Sequence, residues 1–136
     1  MASRGRGARV KGAQFERDVA EWLTSHTPDG WEFKRGLGQA RSAATEGGDV
    51  QCDKLDGVMH FECKRQKNSQ PKAAMDQAIA DAGTAVPIVI TKDDRRPTLV
   101  TMRLEDWQIL FNAWLSTWST NAAKDQAKEK PASPAS

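Results

Sequence analysis

The chain has 136 residues and a mass of 15.0 kDa, which is close to the usual size of one domain. Its five Trp, four Phe and 38% hydrophobic residues exclude a collagen-like or fully disordered chain. No window approaches the roughly 20 apolar residues that a membrane helix requires, and the first residues lack the apolar core of a secretion signal. We therefore expect a cytoplasmic protein whose two cysteines, Cys52 and Cys63, are reduced.

Basic residues are concentrated at the beginning of the chain. Residues 1–12 contain four of the 20 basic residues and no acidic residue, so the remainder has 16 basic against 18 acidic residues. Basic terminal segments often bind nucleic acid, although charge alone is equally compatible with a solvated terminus. We expect a basic flexible arm over 1–11, one folded domain over 12–120, and a disordered tail over the Ala-, Lys-, Ser- and Pro-rich residues 121–136.

Hydrophobic periodicity and turn residues predict the elements of the central region. In chain order, these are a helix over 12–25, strands over 31–35, 49–53 and 58–65, a helix over 75–82, strands over 86–91 and 98–102, and a helix over 104–118. Asp56-Gly57 joins the second and third strands and is a strong hairpin signal. The order α-β-β-β-α-β-β-α predicts an α/β fold with a mixed central sheet of about five strands flanked by helices.

The strand VMHFECKR carries the residues with the clearest chemistry. Because side chains alternate along a strand, Glu62 and Lys64 share one face, while Cys63 points the other way, towards a core. The hairpin can bring Asp49 close to Glu62, and two carboxylates beside a lysine make a site for a hard cation such as Mg²⁺. Such a site is typical of phosphodiester hydrolysis, in which the metal activates water and Lys64 orients that water and stabilises charge at the phosphate.

Two further groups are candidate ligands of the same ion. The backbone carbonyl of Cys63 lies between the two side chains of the strand. Glu16, beside the apolar stripe of the first helix, can be aimed at the same site and hold either a metal-bound water molecule or a second ion. The alternative for Glu62 and Lys64 is an exposed salt bridge, which would contribute only about 0.2–1 kcal/mol. His60 shares the face of Glu62 and is not assigned as a ligand.

Together, these residues resemble the PD-(D/E)XK nuclease superfamily: Glu16 on the first helix, Gly48-Asp49, twelve residues, then Glu62-Cys63-Lys64. The resemblance covers roughly residues 10–115, and the segments KGAQFERDVAEWL, GGDVQ and ECKRQKN are similar to archaeal-type Holliday junction resolvases and their phage-encoded relatives. It implies a restriction-endonuclease-like core and a homodimeric, Mg²⁺-dependent endonuclease, with Mn²⁺ as a substitute ion. Such an enzyme cuts four-way DNA junctions and leaves 5′-phosphate and 3′-hydroxyl ends.

The sequence departs from the superfamily pattern at two places. Gly48 stands where the superfamily name has proline. Gln77 matches the glutamine of the exonuclease-type Q-x-x-x-Y motif, but Asp81 takes the position of the tyrosine, and the chain contains no tyrosine. The second departure argues against a RecB-like exonuclease.

Candidate DNA contacts lie in the arm, in the Gly-rich loop and after the E-x-K motif, where basic residues can follow a phosphate backbone. They are Arg4, Arg6, Arg9, Lys11, Arg35, Gln39, Arg41, Ser42, Arg65 and Lys67. The final helix is too apolar for one small sheet to cover, which motivates the homodimer. The open alternatives are a flap, fork or other phage nuclease of the same superfamily, a non-catalytic DNA-binding protein, and an interaction module that docks through this helix.

Overall fold

The computed structural model describes residues 2–36 and 48–128, and the chain divides into two units, Met1–Met102 and Arg103–Ser136. The elements of the first unit are the helices α1 (Ala2–His26) and α2 (Pro71–Ala82) and the strands β1 (Lys34–Arg35), β2 (Val50–Gln51), β3 (Met59–Gln66), β4 (Val86–Asp93) and β5 (Leu99–Thr101). The second unit contains the helix α3 (Leu104–Lys128). Within the described ranges, no helix combines the length and the hydrophobicity needed to cross a bilayer.

The five strands form one mixed sheet in the order β1-β2-β3-β4-β5. Neighbouring strands are antiparallel except β3 and β4, which are parallel and are joined by α2. A parallel pair needs such a crossover, because the chain must return to the same end of the sheet before the next strand begins. The predicted α/β fold, its element order and its mixed five-stranded sheet are therefore confirmed.

The two faces of the sheet are covered by different helices. Phe15 and Val19 of α1 pack in one apolar cluster with Phe61 and Cys63 of β3, while Ala78 of α2 packs on the opposite face. Because β3 lies inside the sheet and has a helix on each side, both of its faces are buried, as is usual for parallel strands. His60 and Glu62 of this strand are thus placed in the interior and not on a solvated surface.

The helices are longer than the sequence pattern predicts. α1 begins at Ala2, so the residues that the composition assigned to a flexible arm form its first turns. α3 continues to Lys128, ten residues beyond the predicted end at 118. Residues 119–128 contain no proline or glycine and several good helix formers, so nothing in their sequence stops the helix. The part of the predicted tail beyond Lys128 lies outside the described residues.

Helix α3 carries a row of aromatic side chains. Trp107 stacks on Phe111 with ring centroids 4.6 Å apart, and Phe111 in turn stacks with Trp114 at 6.1 Å. Near the start of the helix, Arg103 donates a hydrogen bond of 2.7 Å to Asp106, an acidic residue of the first turn that suits the positive end of the helix dipole.

Candidate active site

The aspartate before β2 is anchored on the middle of β3. The backbone N–H of Asp49 donates to the carbonyl of Phe61 at 2.7 Å, and its side-chain Oδ2 accepts a hydrogen bond of 2.8 Å from the backbone N–H of Cys63. Cys63 lies between Glu62 and Lys64, so the Asp49 carboxylate is fixed at the E-x-K segment. The antiparallel pairing of β2 with β3 thus brings together the two parts of the motif that are far apart in the chain.

Two glycines allow the backbones to approach closely enough for this contact. A Cβ atom on Gly48 would overlap the carbonyl oxygen of Phe61 and come within 2.8 Å of its nitrogen. A Cβ atom on Gly36 would overlap the carbonyl oxygen of Gly48, and the N–H of Gly36 donates to the carbonyl of Asp49 at 2.7 Å. A proline at position 48, as in the superfamily name, would meet the same backbone, so glycine here is a packing requirement of this chain.

We expect Gly48→Ala to destabilise the protein by about 1–3 kcal/mol, since the added methyl group forces β2 away from β3. Urea denaturation measures this change. The control is Gly12→Ala in the interior of α1, where an added Cβ has nothing within 4 Å. That variant should gain up to roughly 1 kcal/mol of helix propensity. Equal stabilities of the Gly48→Ala and native proteins would contradict the packing argument.

The electrostatics of the site favour a bound cation. Burial is the main cause that raises the pKa of the Asp49 carboxyl to about 6, and the negative charge of Glu62 adds to it. The N–H of Cys63 and the Lys64 ammonium lower the pKa but do not cancel the rise. A partly buried aspartate beside other carboxylates is short of positive charge, and hard oxygen ligands of this kind suit a divalent cation. The donor set therefore suits a divalent cation.

Glu62 is held between two basic side chains. Its Oε1 lies 3.2 Å from Nε2 of His60, and its Oε2 lies 3.9 Å from Nζ of Lys64. Both Glu62 and His60 are buried, whereas Lys64 is partly exposed. Lys64 also donates a hydrogen bond of 3.3 Å to Oε1 of Gln77 on α2. Helix α2 therefore contributes to the position of the ammonium group, and the glutamine noted in the sequence has a contact at the site.

The side chain and the backbone of Cys63 face different surroundings. Its side chain belongs to the apolar cluster under α1, and burial strongly raises the pKa of the thiol, so the thiol is unreactive. Its N–H points to Asp49, and the carbonyl of a strand residue points to the same side as its N–H. The carbonyl that the sequence suggests as a ligand therefore faces the Asp49 side of β3.

Glu16 lies near this site and is already paired. Its Oε1 accepts a hydrogen bond of 3.0 Å from Nε of Arg35, at a partly buried position. The charge of Glu16 contributes to the raised pKa of Asp49, which places the two carboxylates in one electrostatic environment. Arg35, which the sequence analysis assigned to DNA, is thus a partner of a candidate catalytic residue in this structure.

The remaining candidate DNA contacts are spread over several places. Lys11, Arg65 and Lys67 line one cleft of about 720 Å³, in which Arg65 forms an ion pair of 2.7 Å with Asp94. Arg65 follows Lys64 on the strand and so projects on the opposite face of the sheet. Of the other positions, Arg9 is exposed on α1, Arg4 and Arg6 belong to the first turns of that helix, and Gln39, Arg41 and Ser42 lie outside the described residues.

Two residues near Glu62 were not assigned to the site from the sequence. Ligand atoms of His60, Glu62 and Asp81 lie within 4.8 Å of one another, and in the described part of the chain they are the one group of three that does so. Strand alternation placed His60 on the face of Glu62, but the packing of α2 against that face is a long-range contact. The sequence contains one indication that Asp81 lies near the site: it follows Gln77 by four residues and is therefore one helical turn away from it.

The fold and the site define a class of protein. A mixed five-stranded sheet between α1 and α2, with the aspartate and the E-x-K segment meeting on β2 and β3, is a restriction-endonuclease-like core. Residues 7–132 match the sequence model of the family described as "Phage putative PDDEXK endonuclease", and the chain belongs to this family. No curated protein and no solved structure is similar enough to count as a match. The family places the chain among the PD-(D/E)XK nucleases, whose substrate is DNA.

Proposed function

We propose that this protein is a Mg²⁺-dependent, structure-specific DNA endonuclease that cuts four-way junctions as a Holliday junction resolvase and leaves 5′-phosphate and 3′-hydroxyl ends. The observation that carries the proposal is the 2.8 Å hydrogen bond from Cys63 N–H to Asp49, which fixes this carboxylate at the E-x-K segment, where the charges of Glu62 and Lys64 act on it. Membership of the phage endonuclease family supports the nuclease chemistry. The similarity of three sequence segments to junction resolvases supports the choice of substrate.

In this proposal, Asp49, Glu62 and the carbonyl of Cys63 hold Mg²⁺ or Mn²⁺, and Glu16 supports the ion through a water molecule. When bound, the ion supplies an activated water nucleophile and positive charge beside the scissile phosphate. The raised pKa of Asp49, at about 6, supports this assignment, because a cation relieves the electrostatic cost of ionising a partly buried carboxylate. Arg35 keeps Glu16 oriented through their 3.0 Å contact.

Lys64 has the second role in the proposed reaction. Its ammonium orients the attacking water and stabilises the negative charge that develops on the phosphate. The hydrogen bond to Gln77 and the 3.9 Å approach to Glu62 restrict the side chain before substrate binds. Such restriction reduces the reorganisation needed during the reaction, which is how fixed charges lower a barrier.

We propose that DNA contacts the protein at a cleft lined by basic side chains. The cleft lined by Lys11, Arg65 and Lys67 offers positive charge to a phosphate backbone, with Arg9 exposed on the helix that forms one wall. Contacts of this kind position a protein on DNA without reading bases, so we propose recognition of DNA shape and not of sequence.

We also propose that the enzyme acts as a homodimer, with two active sites that cut symmetric strands. The large apolar side chains of α3 support this, because Trp107, Trp114 and Trp118 are 43%, 58% and 60% exposed. Exposed apolar surface of this extent is typical of an interface. Two sites related by a two-fold axis match the two-fold symmetry of a four-way junction.

Cleavage of matched substrates tests the function. With Mg²⁺, the protein should cut a four-way junction at least about tenfold faster than a flap or a linear duplex of the same sequences, a difference of about 1.4 kcal/mol in barrier. A supercoiled plasmid with an extruded cruciform should give linear product, because a dimer cuts both strands in one encounter. Equal rates on all substrates would reject junction specificity, and nicked circles alone would reject the paired cut. Tight binding without any cleavage would favour the non-catalytic DNA-binding protein.

A further inference from the structure

A second group of metal-ligating side chains lies beside the proposed Mg²⁺ site, on the α2 face of β3. His60 and Glu62 are two residues apart on the strand and therefore share a face, and Asp81 approaches from α2, one turn beyond Gln77. One ligand atom from each of the three side chains lies within 4.8 Å of the other two. Apart from Glu62, this cluster contains none of the ligands proposed for Mg²⁺. Asp49, for example, is anchored on the backbone of Cys63 instead.

Burial distinguishes this cluster from an ordinary group of surface acids. His60 and Glu62 are only 5% and 6% exposed, and they contact each other at 3.2 Å. Asp81 is exposed, so it can move to complete a coordination shell and leaves a path by which an ion enters. Two buried ligands with a third at the surface form a preorganised site that is open to solvent.

The ligand types select the ion. Three donors around one Zn²⁺ at about 2.0–2.2 Å lie no more than about 4.4 Å apart, so a small movement of the Asp81 side chain brings the present set within reach. An imidazole with two carboxylates suits Zn²⁺ or Mn²⁺, whereas Mg²⁺ prefers oxygen ligands alone. The ammonium of Lys64 lies 3.9 Å from Glu62, and one positive charge only partly offsets the two carboxylates of the cluster.

We propose that His60, Glu62 and Asp81 form a second divalent-cation site, specific for a transition ion such as Zn²⁺ or Mn²⁺. It shares Glu62 with the proposed catalytic site but does not need Asp49, Glu16 or a bound nucleic acid. Because one carboxylate belongs to both sites, binding of an ion at one changes the affinity of the other by the same factor in both directions.

Zinc titration of the full chain, followed through the ¹⁵N signals of the histidine rings, tests this site. The chain has two histidines, so His26 serves as an internal control for His60. The experiment is run on the native protein and on Asp49→Asn, which weakens the proposed Mg²⁺ site alone. We expect the ring signals of His60 to shift and to saturate at one Zn²⁺ per chain in both proteins, with those of His26 unchanged. A shift of His26 alone, or of neither ring, would overturn the proposal.

Calorimetric Zn²⁺ binding by matched variants provides the second measurement. Asp81→Asn should weaken binding by at least about tenfold, as expected when a ligand is lost, while Asp76→Asn, an exposed acid on the same helix, should not change it. Asp81 is exposed, so its variant does not depend on refolding of the core. Unchanged affinity in Asp81→Asn would refute the site. Zn²⁺ binding by a protein that cuts no DNA would refute the proposed function alone, and DNA cleavage without Zn²⁺ binding would refute this site alone.

Discussion

Replacing Glu62 with glutamine is expected to lower the rate of Mg²⁺-dependent junction cleavage by at least about 1,000-fold, which corresponds to about 4 kcal/mol of barrier. The amide has the shape of the carboxylate but no charge, so it is a much weaker ligand for a hard cation. The variant also removes the anion that lies 3.9 Å from the Lys64 ammonium and 3.2 Å from His60. Lys64→Ala should cause a loss of similar size, because it removes the charge proposed to act on the phosphate.

Single-turnover cleavage of a labelled junction measures this effect, since it separates chemistry from product release. Junction binding without metal is measured in parallel and should change little in either variant. The matched controls are Glu32→Gln and Lys72→Ala, which alter exposed residues outside the described site. They should cut at the native rate. A Glu62→Gln protein that cuts as fast as the native one would exclude Glu62 from catalysis and with it the proposed metal site.

Much of this fold was predictable because its signals are local. The alternation of VMHFECKR placed Glu62 and Lys64 on one face, and Asp56-Gly57 predicted the hairpin that carries Asp49 to them. Both depend on residues close together in the chain. The order of helices and strands then leaves few ways to build the sheet, and the observed one joins its parallel pair through α2.

The details that remained hidden depend on contacts between distant segments. Strand periodicity cannot show that α2 covers the face of His60, so this histidine was not assigned to a site, although it is 5% exposed and touches Glu62. The need for glycine at position 48 follows from the backbone of Phe61, thirteen residues later. Likewise, the pairing of Arg35 with Glu16 joins β1 to α1, and no spacing rule predicts it.

The pH dependence of stability should reveal the partly buried Asp49 carboxylate in the metal-free protein. The native fold raises the pKa of Asp49 from 3.8 to about 6, mainly through burial. The folded state therefore binds this proton more tightly than the unfolded state does. The associated stability is fully present below the unfolded pKa and is lost as the pH rises through about 6. A rise in pKa of this size corresponds to about 3 kcal/mol of unfolding free energy.

Asp49→Asn is expected to remove this dependence, because asparagine cannot ionise and its side-chain oxygen can still accept the hydrogen bond from Cys63. The difference in unfolding free energy between variant and native protein should thus grow in favour of the variant by about 2.4 kcal/mol between about pH 4 and pH 7. Urea denaturation with a chelator present measures it at each pH.

Asp53→Asn is the matched control, since that side chain is 92% exposed, and its curve should run parallel to the native one. Mg²⁺ provides the complementary measurement. An ion that binds the folded state alone stabilises it by an amount that rises with the logarithm of its concentration, about 2.7 kcal/mol at 100 Kd. It should therefore stabilise the native protein at neutral pH but not Asp49→Asn. If the stability curves of the native protein and Asp49→Asn stay parallel from acid to neutral pH, ionisation of Asp49 does not destabilise the metal-free protein. A bound metal would then have no such cost to offset.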